Sequence, residues 1–546
     1  MKAQLKGYLT LVFILVFVET NFAQPPGWAW AKSAGSVSND YSNATCTDAG
    51  GNVYAAGSFQ GTTITIGSYT LQNTATGSND IFLAKYDANG NVLWAKSAGG
   101  TERDFAYGVC ADINGNVYIT GFFLSTEIIL GTDTLINAGS YGDIFIIKYD
   151  SSGNVQWARS AGGTSADEAF GICIDSESNI YIAGMFGSPT ASFGSDTLNL
   201  IGYYDIFIAK YTPGGNLTWV KNMGGTQWDA AYSICTDNHK NIYITGCFQQ
   251  LAIFDSDTIT GEANVNLFVA KFDSYGNTIW AKSAYGGHFG TGNYGYAIVA
   301  DASSNVYITG TYQFLLTVSD TLANADNKST FLAKYDSSGN ALWARSPGGN
   351  DYDYGSGICT NSGGNIFITG YFGSSFLNFG GYPVLNANVG YDDIYVAAYD
   401  SSGNALWAKG AGGQDYDYGM GICSGGGNLY VTGYVGSYSV DFGNTTIINN
   451  GSYDIFLAKL SSTVGIEEPP GYDNSLILYP NPATNTFTIK GIPSSEQVLL
   501  QAINPLGKIV YEEELVGKSE YKVEANFAKG IYFVRANERV RKLIIE

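Results

Sequence analysis

From residue 28 to residue 460 the chain is a succession of short β-branched and aromatic runs, each closed by Gly, Asp, Asn or Ser. One group of four reads Tyr107-Gly-Val-Cys-Ala, Asn116-Val-Tyr-Ile-Thr-Gly, Asp143-Ile-Phe-Ile-Ile-Lys-Tyr and Asn154-Val-Gln-Trp-Ala-Arg. Runs of this length and composition predict strands, here lettered A to D in chain order. The A-to-B connection, Asp112-Ile-Asn-Gly-Asn, and the C-to-D connection, Asp150-Ser-Ser-Gly-Asn, carry the residues of tight hairpins. Gly accepts positive φ there, and Asp accepts hydrogen bonds from its own turn. Each group should therefore be an antiparallel four-stranded unit.

The unit recurs. Trp30, Trp94, Trp157, Trp219, Trp280, Trp343 and Trp407 sit in equivalent D runs at spacings of 61 to 64 residues. A Tyr-Ile-Thr-Gly phrase ends at Gly57, Gly121, Gly184, Gly246, Gly310, Gly370 and Gly433, and C runs begin at Asp80, Asp143, Asp205, Asn266, Ser329, Asp393 and Asp454. Seven small units cannot each bury two faces alone, so radial packing is the economical solution. The repeats open with a D run at Trp30 and close with a C run at Asp454–Leu460. The predicted fold is thus all-β, a seven-bladed β-propeller whose N-terminal strand closes the last blade. The Asp112–Gly121 phrase resembles the SBBP β-propeller repeat, and the likeness covers residues 28–460. That resemblance implies a module of exported proteins and no particular reaction.

The ends of the chain read differently. Lys2 and Lys6 precede an apolar run, Leu9–Val18, and Ala23 stands before Gln24, the pattern of a secretory signal peptide over 1–23. That run is too short to cross a bilayer, which takes about 20 residues, and no later segment is apolar enough to span as a helix. Residues 461–475 contain Glu467-Glu-Pro-Pro-Gly471 and read as a linker. Residues 476–546 alternate in short runs that suit a small Ig-like β-sandwich. Tyr479, Pro480, Asn481 and Pro482, with Gly507, Gly530, Tyr532 and Lys542, resemble the C-terminal sorting domain of the type IX secretion system. The resemblance implies that the type IX machinery is a partner, and that the protein is secreted or displayed on the outer surface of a Gram-negative cell.

Composition narrows the chemistry. Charged residues are 14%, aromatic residues 14%, and 70 positions are Gly, which argues against disorder and against a helical bundle. A net charge of −21 disfavours nucleic acid and anionic membranes as partners. His239 and His288 are isolated in the sequence and offer neither a nucleophile–base pair nor a zinc site. Cys46, Cys110, Cys173, Cys235, Cys359 and Cys423 share one strand A position, held by Val299 in the fifth repeat, so they read as free, packed thiols. The repeated tryptophans read as packing between units.

Six residues before each of those cysteines stand Asp40, Asp104, Asp167, Asp229, Asp353 and Asp417, with Asp351 and Asp415 two residues earlier in the last two repeats. They fall in the long loops, on the face where such rings usually bind ligands. Three readings are open. The carboxylates accept turn N–H groups such as those of Gly99-Gly100, they hold calcium, or a pair of them serves a glycosidase or lyase. Apart from calcium no cofactor is expected. Loop aromatics at Tyr203, Tyr204, Tyr352, Tyr354, Tyr416 and Tyr418 offer stacking surfaces for sugar rings. The expected function is an exported surface module for binding or adhesion, with a glycan or protein ligand. The alternative is a secreted carbohydrate-active enzyme using Asp353 and Asp417.

Overall fold

The computed structural model describes residues 25–461, apart from 263, 285–291 and 319–320, and beyond 476 it describes seven strands with residues 483 and 484. The signal peptide (1–23), the linker (461–475) beyond its first residue and His288 lie outside the described residues. The chain separates into two compact units, Pro25–Gly465 and one containing Ile466–Glu546.

Every described element is a strand. In the first unit, strands A to D of each repeat pair in order as seven antiparallel four-stranded sets, the second of which extends to a six-stranded sheet where Ala161 and Gly162 of its D strand pair with Phe193 and Ser192. The second set comprises Asp104–Ala111, Val117–Phe123, Asp143–Tyr149 and Val155–Gly162. In its C-to-D turn Asp150 accepts N–H bonds from Ser152 and Asn154 at 2.9 Å, and Gly153 has φ 81°. The seventh sheet takes A, B and C from Asp417–Gly425, Asn428–Val435 and Asp454–Leu460. Its fourth strand is Trp28–Ala34, paired Ala31↔Ala458 and Ser33↔Phe456. Strand A of every sheet touches strand A of the next, and that of the seventh touches that of the first. Ser42 Oγ and Thr432 Oγ1 lie 2.6 Å apart across this last junction. The first unit is therefore propeller-like.

One feature departs from the sequence reading. Between B and C, six repeats insert a hairpin of four-residue strands, such as Glu127–Leu130 with Asp133–Ile136. An exposed–buried alternation over four residues is too short to be told from a loop. In the fifth repeat B and C instead continue into one long hairpin, Val306–Thr317 with Thr321–Tyr335.

The repeated residues brace one sheet against the next. Trp94 Nε1 and Lys85 Nζ both donate to Ser151 O, in the C-to-D turn of the following sheet, at 3.1 and 3.2 Å. Gly153 of that turn lies so close to the Trp94 ring that a Cβ would sit 3.0 Å from it. Trp157 and Lys148 make the same pair of bonds to Pro213 O, and Trp343 and Lys334 to Ser401 O. From the seventh sheet to the first, Trp30 and Lys459 both donate to Ala88 O, at 3.3 and 2.9 Å. The sixth sheet has Ala398 where the others have lysine. Its neighbour has no C-to-D turn, because there strand D arrives from the other end of the chain. The lysine is missing where its acceptor is missing.

The C-terminal unit has two antiparallel sheets. Ile477–Tyr479, Thr486–Lys490 and Glu520–Glu524 make one, and Gln497–Ile503, Ile509–Val516, Gly530–Ala536 and Arg539–Ile545 the other. Phe487, Ile489 and Val523 of the first share a core with Leu500, Val534 and Leu543 of the second. Of the motif residues, Tyr532 is buried in this core and Tyr479, Gly530 and Lys542 lie on strands. Pro480, Asn481, Pro482 and Gly507 are outside the described residues.

Candidate functional site

The six strand A aspartates do not reach the open surface. Asp40, Asp104, Asp167, Asp229, Asp353 and Asp417 are each 0% exposed. Asp104 accepts from Gly100 N at 2.9 Å and from Ser125 N and Oγ at 3.2 and 2.8 Å. Asp167 joins Gly163 N to Ser188 Oγ at 2.8 and 2.7 Å, and Asp417 takes Ser437 Oγ at 2.7 Å. Each carboxylate thus ties loop segments on one face, satisfying donors that burial would otherwise leave unpaired. Their placement on a ligand-binding surface is corrected. The loops lie where expected, but the carboxylates turn inward, Asp353 and Asp417 among them. Among the described residues no group of three or more His, Cys, Asp or Glu is placed to hold a metal ion.

Beside five of these aspartates lies a second one, at the start of a C strand: Asp454 near Asp40, Asp80 near Asp104, Asp143 near Asp167, Asp205 near Asp229 and Asp393 near Asp417. The fifth repeat replaces its strand A aspartate by Asn293, and the preceding C strand begins at Asn266. Burial pushes these carboxyls up against the hydrogen bonds they accept, with a smaller push from the neighbouring charge, Asp40 and Asp104 to about 6, Asp229 and Asp417 to about 7. Groups raised above the unfolded value of 3.8 bind protons more tightly when folded. Their contribution to stability is therefore complete below that value and is lost as pH rises through 6 to 7. The turn aspartates, such as Asp87, Asp150 and Asp400, are held below the ordinary value by hydrogen bonds from Asn91, Asn154 and Asn404. They contribute above pH 4 and lose that contribution as the pH falls further. The melting temperature should therefore be highest near pH 4, fall by several degrees toward pH 7 to 8, and fall again below about pH 3.5. Thermal melts across that range check this, and a steady rise from pH 5 to pH 8 would contradict it.

All seven cysteines are free. Cys235 pairs across the hairpin with Tyr243 and Cys247 with Ala230, the two in different registers. His239 sits in an A-to-B turn with Nδ1 3.2 Å from Ser304 Oγ.

Residues that the repeats share make the frame, so a site is to be sought where the repeats differ. Just before the C runs of the repeated sequence stand Asn79, Gly142, Tyr204, Val265, Lys328, Asp392 and Tyr453, with no common chemistry, Lys328 lying within the longer fifth-repeat strand. Six of the seven, all but Lys328, have a carbonyl that bonds to the next strand A, as Asp392 O accepts from Asp417 N at 2.7 Å. This sets the variable side chain beside the second residue of that strand: Tyr41, Phe105, Glu168, Ala230, Tyr294, Tyr354 or Tyr418, depending on the repeat. Two positions on, every strand A carries a β-bulge, which re-aims a side chain out of the regular pleat. Tyr107, Phe170, Tyr232 and Tyr296 occupy it in four successive sheets, with ring centroids 5.3 to 5.4 Å apart.

Where the sixth and seventh sheets meet, these positions enclose a cleft of about 470 Å³ lined by Asp351, Tyr352, Tyr354, Tyr371, Gly373, Gly390, Asp392, Tyr416 and Tyr418. Tyr354 stacks on Tyr371 at 4.8 Å, and Tyr371 meets Tyr418 edge-on at 4.7 Å. Tyr416 lies nearly parallel to Tyr418 at 6.2 Å, and Tyr352 is 47% exposed. Asp351 Oδ1 accepts the Tyr352 N–H at 2.9 Å. Burial holds Asp392 up to about 6, the Tyr418 hydroxyl bond opposes this, and the Asp351 charge adds to it. Of the residues expected from the sequence, the cleft gathers Asp351, Tyr352, Tyr354, Tyr416 and Tyr418. Asp415 is exposed and outside the lining, and Tyr203 and Tyr204 belong to another repeat. Tyr371 and Asp392 were missed. Column-by-column comparison of the repeats is the signal that finds them.

Residues 477–546 match the family model for a secretion system C-terminal sorting domain, which assigns the tail to export. An uncharacterized WD repeat-containing protein of Acanthamoeba polyphaga mimivirus is 26% identical over 94% of this chain and 42% of its own length. The regulatory protein FlaEY of Caulobacter vibrioides is 28% identical over 26% of this chain and 15% of its own. The chain thus spans less than half the length of these curated relatives. Among solved structures, the Neurospora crassa Pan2 WD40 domain gives a TM-score of 0.40 at 9% identity, covering 79% of this chain and 97% of that one. The WD40 β-propeller domain of Doa1 gives 0.37 at 9% identity, with the same coverages. The propeller-like arrangement rests on the strand pairing described above.

Proposed function

We propose that the protein is an exported surface-binding module, a closed seven-bladed propeller of the SBBP type that presents the tyrosine cleft to its ligand. Its C-terminal Ig-like sandwich hands it to the type IX secretion machinery, after a Sec signal peptide has taken it across the inner membrane. The observation that carries the reading is the cleft itself. Seven similar units make the frame, and the cleft between the sixth and seventh sheets is built largely from positions at which the units differ. Partly exposed tyrosines beside two carboxylates are the composition of a recognition site. The brace from Trp30 and Lys459 to Ala88 supports closure of the ring.

Two experiments test this. Deleting residues 472–546 in the native host should leave the remaining chain folded and trapped inside the cell envelope. Normal surface delivery of the truncated chain would overturn the sorting assignment. Against an array of glycans, amines and amino-acid derivatives, any ligand of the full-length protein should be lost in a Tyr352→Ala/Tyr416→Ala variant that melts like wild type. Undiminished binding by that variant would overturn the cleft assignment.

A further inference from the structure

The cleft is acidic and aromatic, and its lining holds no cation. Its side chains are five phenols and two carboxylates, with Gly373 and Gly390 adding backbone only. A tyrosine face carries the negative side of the ring quadrupole and attracts a cation placed within about 6 Å of its centre. The protein uses this interaction throughout its frame. The strand C lysines sit over strand B tyrosines, as Lys85 over Tyr54 at 5.1 Å, Lys210 over Tyr181 at 5.0 Å and Lys334 over Tyr307 at 5.0 Å.

It is also made by a ring of the cleft itself. Lys328, half-buried, holds its ammonium 5.3 Å from the Tyr294 centroid and 5.5 Å from that of Tyr354, a lining residue. Lys328 occupies the variable position before the C run that one repeat later is Asp392. Between the fifth and sixth sheets, then, the chain supplies the ammonium. Between the sixth and seventh it supplies an anion in the equivalent place and leaves the cation to come from outside. Asp351 and Asp392, both beside Gly373, repel one another, and a bound positive charge relieves that repulsion. The net charge of −21 favours the approach of cations over a longer range.

We propose that the cleft binds an organic ammonium group, its alkyl or methyl surface against Tyr354, Tyr371, Tyr416 and Tyr418 and its charge answered by Asp351 and Asp392. The inference rests on the cleft being the ligand site. Free choline and Nε-trimethyl-lysine present a trimethylammonium on an alcohol and on an amino acid, and glucosamine presents a primary ammonium on a sugar.

Calorimetric titration of the full-length protein at low salt with each of these, and with counterparts lacking the ammonium charge (3,3-dimethylbutan-1-ol for choline, the tert-butyl carbon analogue for Nε-trimethyl-lysine and N-acetylglucosamine for glucosamine), tests it. At least one cation should bind, about tenfold or more tighter than its counterpart, and the best of the three identifies the source. An Asp351→Asn/Asp392→Asn variant should lose about tenfold for that cation, and Asp392→Asn alone a smaller factor, with melting temperatures no lower than that of the wild type. Equal binding of the counterpart, or no binding of any of the three up to roughly 10 mM, would overturn the proposal. If the array instead yields a neutral sugar whose binding is lost in Tyr352→Ala/Tyr416→Ala, the ammonium inference fails while the cleft remains the binding site.

Discussion

Removing residues 25–34 should abolish cooperative folding of the repeat unit at growth temperature, although none of these residues lines the cleft. The segment supplies the fourth strand of the seventh sheet, and Trp28, Ala31 and Ala34 are buried there. Trp28 packs with Phe442 edge-to-face at 4.9 Å. Burial of a large aromatic of this kind contributes about 2–3 kcal/mol. Without the strand, Asp454–Leu460 becomes an unpaired edge of mostly buried residues, a template for aggregation. Trp30 also leaves Ala88 O with one donor fewer. Melting and solubility of the full chain and of a form lacking 25–34 behind the same leader check this. A truncated form that stays soluble and melts within about 2 °C of the full chain would show that the first strand is dispensable.

The glycine that ends each Tyr-Ile-Thr-Gly phrase should be nearly irreplaceable, for a reason other than φ. A Cβ on Gly121 would lie 1.9 Å from Phe105 O, and at Gly57, Gly184, Gly246, Gly310, Gly370 and Gly433 the corresponding approach is 1.8 to 2.0 Å. In every case the obstacle is a backbone carbonyl of strand A next to its bulge, which cannot swing aside without breaking the ladder. Gly121→Ala should cost about 3 kcal/mol or more. Gly131→Ala is the control, because that glycine has φ 66° and open space around it, so only the left-handed backbone is penalised, by about 1 kcal/mol. Denaturant unfolding of the two variants should give that ranking, and equal losses would contradict it.

Much of the frame is readable from the residues because repetition averages out local ambiguity. Any one Asp-x-x-Gly-Asn turn is weak evidence, but the same turn before seven strands sets the hairpins and the order of strands. The short hairpins between B and C escaped detection because Thr63–Ile66 or Glu127–Leu130 is a single alternation of four residues. The site was half legible. Tyr352, Tyr354, Tyr416 and Tyr418 drew notice as loop aromatics, whereas the six regular aspartates drew notice because they recur. Recurrence marked them as architecture, and Asp104 in its bracket of Gly100 and Ser125 is the physical reason. Asp392 was hidden because it precedes an aspartate common to most repeats and acquires meaning only when Lys328 and Tyr453 are seen at the same place in neighbouring units.

The central claim is that function sits where the repeats differ, between the sixth and seventh sheets. The most direct measurement is the binding isotherm of one array-identified ligand with three proteins: wild type, Tyr352→Ala/Tyr416→Ala, and Tyr141→Ala/Tyr203→Ala. The last pair removes exposed tyrosines, 57% and 71% accessible, from other repeats. Loss of binding by about tenfold or more in the first variant and none in the second is the predicted result. Loss confined to Tyr141→Ala/Tyr203→Ala, or equal affinity in all three, would contradict it.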